Sequence, residues 1–166
     1  LYICSTPATD CPPVNVGGMP IVPNETLKVL GCKLDRRNSY SQHIASLAGV
    51  LAGRVGMVRR LSQFVPRGRF LRQLASGLFG GSLAHAMPAW ARPVLSEEEP
   101  VDGGMHRLQL QQNKLVRVLC GKQLRDCIPT KKMLEDCKLL SVNQIAVKSV
   151  GLEAWCRLQP SRDLWQ

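Results

Sequence analysis

The sequence predicts a mainly α protein, with a short N-terminal β-hairpin and strands followed by a helical bundle. Three observations predict this. Apolar residues make up 45% of the 166 positions, enough to build a core. The apolar period changes from two to the mixed three-and-four of a helix after Asp35. No apolar run reaches the roughly 18 residues that a membrane-spanning helix needs, so no membrane association is expected.

The elements follow in order. Residues 5–13 are rich in Pro, Ser and Thr and read as loop. Val14-Asn15-Val16 and Met19-Pro20-Ile21 flank Gly17-Gly18, the pattern of a hairpin with a primed turn. Pro20 confines its strand to an edge, because it has no N–H to give a ladder. Pro23-Asn24-Glu25 reads as a turn. Residues 27–34 alternate as one strand, with Leu30, Cys32 and Leu34 on one face and Leu27 and Val29 on the other. Gly31 within it suggests a bulge or a backbone passing close by. Such strands are not stable alone, so they are expected to join a sheet outside this sequence or to pack on the helices.

From Ser41, read as an N-cap, a helix is expected to about Gln63, burying Ile44, Leu47, Ala48, Leu51, Val55 and Val58. After Pro66 a second helix is expected near 67–79, with Phe70, Leu71, Leu74 and Leu78 inward. Gly80-Gly81 should weaken it, and Pro88 should close the region. Met105, Leu108, Leu115 and Leu119 mark a third helix. A short one follows Pro129-Thr130 through Leu134, and the last runs from Ser141 to about Leu158 with Ile145, Ala146, Leu152 and Cys156 inward. The expected organisation is therefore 1–38 β region, 39–92 helices, 93–104 acidic loop and 105–166 helical connection.

Charge adds a functional clue. Lys and Arg number 22 against 12 Asp and Glu, a formal charge of +10. Between residues 36 and 96 stand Arg36, Arg37, Arg54, Arg59, Arg60, Arg67, Arg69, Arg72 and Arg92, with no lysine and no acid. A solvated face mixes signs, and codon bias toward Arg explains missing lysines but not missing acids. Guanidinium groups grip phosphate through paired N–H donors. Residues 105–132 add seven bases, Lys114 and Arg117 among them, against Asp126 alone. A polyanionic partner is expected, and with only 5% aromatic residues, base stacking on a single strand is not.

The seven cysteines include no C-x-x-C pair, and His43, His85 and His106 do not stand at ligand spacing from any of them. They are read as small apolar residues in a reducing compartment rather than zinc ligands or a disulfide framework. His43 reads as a packed or capping residue, and Trp90, Trp155 and Trp165 as packing residues. The opening Leu1-Tyr2-Ile3-Cys4 carries no Met and no signal-peptide pattern, so a piece of a longer, intracellular polypeptide, nuclear or cytoplasmic, is expected.

Three patterns occur in a particular order. The first is Leu27 through Asp35 followed by Tyr40-Ser41-Gln42-His43-Ile44. The second is Leu108, Gln112, Lys114, Arg117 and Gly121 at L-x-x-x-Q-x-K-x-x-R-x-x-x-G spacing. The third is Leu139-Leu140-Ser141-Val142 leading to Ala146. Together they resemble the region after the catalytic palm in reverse transcriptases of non-LTR retrotransposons. The resemblance implies a fragment of an α+β RNA-directed DNA polymerase. Val29, Leu30, Gly31, Cys32 and Lys33 would form a primer-grip-like element. The helices from Ser41 would form a thumb over an RNA/DNA template–primer duplex, and the region from Met105 would lead onward from it. Arg36, Arg37, Arg54, Arg59, Arg60, Arg67, Arg69, Arg72, Lys114 and Arg117 would contact nucleic acid.

The partners implied are that duplex and the palm and fingers of the same polypeptide. The family's paired palm aspartates are absent: Asp-Asp does not occur. Two-metal phosphoryl transfer needs such carboxylates. No catalytic residue and no cofactor is therefore expected in this chain, with Mg2+ expected in the parent polymerase. A stand-alone basic helical nucleic-acid-binding module and an inactive retroelement relic are the alternatives. Coding sequence upstream distinguishes the module from the other two.

Overall fold

The computed structural model describes residues 14–21, 24–96 and 102–158. The loop expected at 5–13, the acidic stretch 97–101 and Trp165 lie outside them. The protein is mainly α with short N-terminal strands, and it divides into two compact units, Leu1–Ser46 and Leu47–Gln166.

In the first unit, β1 (Val14–Val16) pairs antiparallel with β2 (Met19–Ile21), Val16 opposite Met19. Gly17 and Gly18 carry φ of +58° and +83°, the left-handed values a primed two-residue turn requires. The strand expected over 27–34 is instead a second hairpin: β3 (Thr26–Val29) pairs with β4 (Cys32–Asp35), Val29 opposite Cys32. Leu30 and Gly31 form its turn at φ +47° and +89°. Gly31 is thus a turn residue and not a bulge. Apolar alternation persists across a two-residue turn, which is why periodicity alone reads one strand. Leu30, expected on a buried face, is 89% exposed at the tip.

The exit from β4 is built on Asp35. Its carboxylate accepts from Arg37 N at 3.1 Å, Ser39 N at 2.8 Å and the Ser39 hydroxyl at 2.8 Å. Burial alone would push this carboxyl up. The hydrogen bonds from Ser39, with those from the Arg37 and Ser41 backbones, outweigh burial and hold it below its ordinary value. Helix α1 (Ser41–Leu61) begins at Ser41 itself, with Tyr40 O accepting from Ile44 N at 2.9 Å. Ser41 is therefore the first helical residue and not the cap. His43 is buried, and its Nδ1 accepts from Lys33 N at 3.4 Å. Lys33 Nζ donates to the Ser46 hydroxyl at 2.9 Å, so the second hairpin is fastened to the first turns of α1.

In the second unit, Leu47, Leu51, Val55 and Val58 of α1 are buried at helical spacing, with Ala48 half-buried beside them. The next helical run is longer than expected. It comprises α2 (Arg69–Ala75), a π turn (Ser76–Gly80) and α3 (Gly81–Ala84), and Gly80-Gly81 lies inside it. Its buried residues are Leu71, Ala75, Phe79 and Leu83, with Met87 of α4 (Met87–Trp90) four further on. Steps of four overshoot an α-helical turn by about 40° each, and the wider π turn takes up part of that drift. Phe70, expected inward, is 61% exposed, whereas Phe79 is 2% exposed. Pro88 sits in the first turn of α4, where its missing N–H costs nothing.

Helix α5 (Gly103–Cys120) is the spine of this unit and packs on α2, α6 (Thr130–Cys137) and α7 (Val142–Leu158). Asp102 caps it, its Oδ2 accepting from Gly104 N at 3.0 Å and Met105 N at 3.4 Å. Met105, Leu108, Leu115, Val116 and Leu119 face the core. Buried Gln112 donates from Nε2 to Leu140 O at 2.7 Å, and Gln109 Oε1 accepts from Val142 N at 3.0 Å, tying α5 to the start of α7. Ser141 and Gln144 form a reciprocal capping box there, at 2.8 and 3.2 Å. Asn143 clamps Val94 through both its N–H and C=O, at 2.9 and 2.8 Å.

Trp90 is buried and donates to His85 O at 3.0 Å, a packing role as expected. Helix α7 departs from expectation beyond Ala146: Leu152, Trp155 and Cys156 are exposed rather than inward. Among the described cysteines, Cys32 and Cys137 are buried and Cys120 is half-buried, but Cys127 and Cys156 are exposed. No helix among the described residues is long and apolar enough to cross a membrane.

Candidate nucleic-acid interface

One face of α5 turns away from the core. Leu110, Asn113, Lys114, Arg117, Val118 and Gly121 recur at steps of three and one, which puts them on one side of a helix. They form one wall of a groove of about 640 Å³. Arg59 and Ser62 from the end of α1, and Arg67 from the segment before α2, form another. Residues 121–124 close the end. Among the described residues five cations line the groove, Arg59, Arg67, Lys114, Arg117 and Lys122, and no carboxylate does.

The end of α5 sets the positions of several of these groups. Gly121 adopts φ +64° and stops the helix in a Schellman arrangement: Lys122 N donates to Arg117 O at 2.9 Å and Gly121 N to Val118 O at 3.2 Å. The turn brings Gln123 O within 3.0 Å of Arg117 Nη1, which fixes that guanidinium. It also places Lys122 at the groove. Arg67 lies directly on Gly121. A β-carbon at position 121 would stand 3.1 Å from Arg67 Nε and 3.2 Å from its Cδ. The left-handed turn and the seat of Arg67 thus require the same glycine.

The only ion pair among the described residues is Arg157–Glu153 on α7, at 2.8 Å. Among the described residues, none of the groove cations is in an ion pair with a carboxylate. Five like charges around one cleft repel one another, and an anion in the cleft relieves that repulsion. Their donors suit phosphate oxygens, Asn113 and Gln123 add polar groups, and Leu110 and Val118 give the wall an apolar component.

Of the ten basic residues expected to contact nucleic acid, Arg59, Arg67, Lys114 and Arg117 meet in this groove. Arg72 lines an adjoining pocket of about 240 Å³ with Arg67, and its Nη1 donates to Asp136 O at 3.5 Å. Arg60 and Arg69 are exposed, and Arg54 is half-buried, but none of the three lines either cleft. Arg36 and Arg37 belong to the first unit, near the Asp35 turn. The primer-grip-like residues Val29, Leu30, Gly31, Cys32 and Lys33 occupy the tip of the second hairpin, Val29 and Leu30 exposed and Cys32 buried.

Lys122 was not expected. Its signal was present in Arg117 followed by Gly121-Lys122: a glycine after a helical run marks a left-handed stop, and the next residue turns back alongside the last turn. Among the described residues no group of three His, Cys, Asp or Glu side chains is placed to hold a metal. No protein-family model, curated protein or solved structure matches this chain.

Proposed function

We propose that the chain holds a nucleic-acid duplex by its sugar-phosphate backbone, as the thumb-like and connecting part of a non-LTR retrotransposon reverse transcriptase. The palm and fingers of the same polypeptide would supply the catalytic aspartates and their Mg2+, and the site of action would be nuclear or cytoplasmic. The observation that carries this reading is the groove of five cations with no lining carboxylate. A grip that must slide along a template–primer duplex contacts phosphates and does not read bases, which this lining suits. Support for that family comes from the order of the three sequence patterns that resemble it.

The test is equilibrium binding of an RNA/DNA hybrid over a range of salt. Affinity should be independent of sequence and fall steeply with salt. Replacing Arg59, Lys114 or Lys122 by Ala should each reduce the log–log slope by about 0.9. Replacing Arg92, exposed and outside the groove, should leave the slope unchanged. Binding that does not respond to salt, or that weakens equally for every basic residue removed, contradicts the proposal.

A further inference from the structure

The pocket beside the basic groove contains a feature that phosphate binding does not use. Its floor holds two thiols from different helices. Cys120 ends α5 and Cys137 ends α6, and their sulfurs lie 3.3 Å apart. Arg67, Gly68, Leu71 and Arg72 form the facing wall. The contact is within van der Waals distance for two sulfurs, and a covalent bond of about 2.05 Å requires only a small further approach. No other pair of described cysteines is in contact: Cys32, Cys127 and Cys156 stand apart.

The two thiols are not equivalent. Cys137 is buried, and burial, followed by its hydrogen bond to Cys120, pushes its thiol up to about 12. It remains protonated and in hydrogen-bond contact with Cys120. Both thiols line the pocket, and the residue Cys120, half-buried where Cys137 is buried, is the more accessible of the two to an incoming reagent. Arg67 and Arg72 line the same pocket and make the surroundings of the two thiols electropositive.

We infer that Cys120 and Cys137 form a reversible oxidative modification site, in which a peroxide joins α5 to α6 by a disulfide. In the first step Cys120 sulfur attacks one peroxide oxygen. The O–O bond breaks, a Cys120 sulfenic acid forms, and the departing oxygen leaves as water with the thiol proton. In the second step Cys137 sulfur attacks Cys120 sulfur. The S–OH bond breaks, and the hydroxide takes up the Cys137 proton and leaves as a second water. Two thiols lose two electrons and two hydrogens, and one peroxide becomes two waters. An external dithiol reverses the change by exchange. The bond closes a loop over residues 121–136, which contains the Lys122 edge of the basic groove. The site itself does not depend on nucleic acid binding there.

The test uses the full chain, reduced and then exposed to hydrogen peroxide, with remaining thiols blocked before non-reducing digestion. A peptide pair joining Cys120 to Cys137 is expected, with a mass loss of about 2 Da that dithiothreitol restores. A sulfenic-acid probe should label Cys120 in Cys137→Ser, and should leave Cys137 unlabelled in Cys120→Ser. Separate alkylation of both cysteines after oxidation overturns the inference, as does linkage distributed among Cys32, Cys127 and Cys156. Should either variant fail to fold, peptide mapping of the unsubstituted chain decides the question by itself.

Discussion

Replacing Gly121 tests both the end of α5 and the seat of Arg67. At φ +64° an alanine pays the left-handed penalty of about 1–2 kcal/mol. Its β-carbon would also stand 3.1–3.3 Å from three atoms of Arg67, so the side chain must shift by a few tenths of an ångström. That second cost is small for stability, because the end of a flexible chain yields. It matters for the groove, because the guanidinium leaves its seat. Gly121→Ala should therefore lower the urea midpoint by roughly 0.5–1 M, taking a slope of about 2 kcal/mol per M. It should also reduce the salt slope of duplex binding by up to about 0.9, the share of one phosphate contact. Gly121→Asn separates the two effects, since Asn tolerates the left-handed region. It should keep most of the stability and still lose the Arg67 contact. An alanine variant with an unchanged midpoint would refute the assigned backbone role. An asparagine variant with full affinity and an unchanged slope would refute the seat of Arg67.

Phe79→Ala should cost about 3–5 kcal/mol in denaturant unfolding, whereas Phe70→Ala should stay within about 0.5 kcal/mol. The reverse order would mean that the run 69–84 is turned on its axis. Asp102→Ala should cost about 1 kcal/mol through loss of the α5 cap, and amide exchange should quicken first at Gly104 and Met105. For Asp35 the folded carboxyl lies below its ordinary value near 3.8, so its contribution is full above that value and is lost as pH falls through the lower folded one. NMR titration of Asp35 should report a depressed midpoint with loss of the Ser39 amide shift at the same pH. A midpoint at or above 3.8 contradicts the hydrogen-bonded turn.

Much of this architecture was legible because local chemistry and tertiary packing agree. Gly17-Gly18 specifies a primed turn in any context, and the apolar spacing of α1 and α5 matches what is buried. The Leu108, Gln112, Lys114, Arg117, Gly121 pattern resolves into separate tasks: Leu108 packs, Gln112 ties α5 to the lead-in of α7, Lys114 and Arg117 line the groove, and Gly121 stops the helix. What the sequence does not announce are the places where the chain departs from a regular period. Leu30-Gly31 is a turn inside an alternating run. The buried face runs through Leu71 and Ala75 with Phe70 outside it, and the π turn at Ser76–Gly80 carries that face on to Phe79, a feature no single residue announces. The exposed second half of α7 carries Leu152 and Trp155 at spacings a core helix also uses, so pattern alone could not place them outside. For the groove, the sequence names ten bases without showing which of them meet in space. Arg59 and Arg67 join Lys114 and Arg117 only because α1 ends beside α5, a tertiary fact.

Lysine footprinting reports on the basic groove itself. The chain is acetylated at limiting reagent with and without an RNA/DNA duplex, and each lysine is read by mass spectrometry. Lys114 and Lys122 line the groove, while Lys138 and Lys148 are exposed outside it. Selective protection of Lys114 and Lys122 on duplex binding is the predicted result. Equal protection of all four, or protection confined to Lys138 and Lys148, would contradict it.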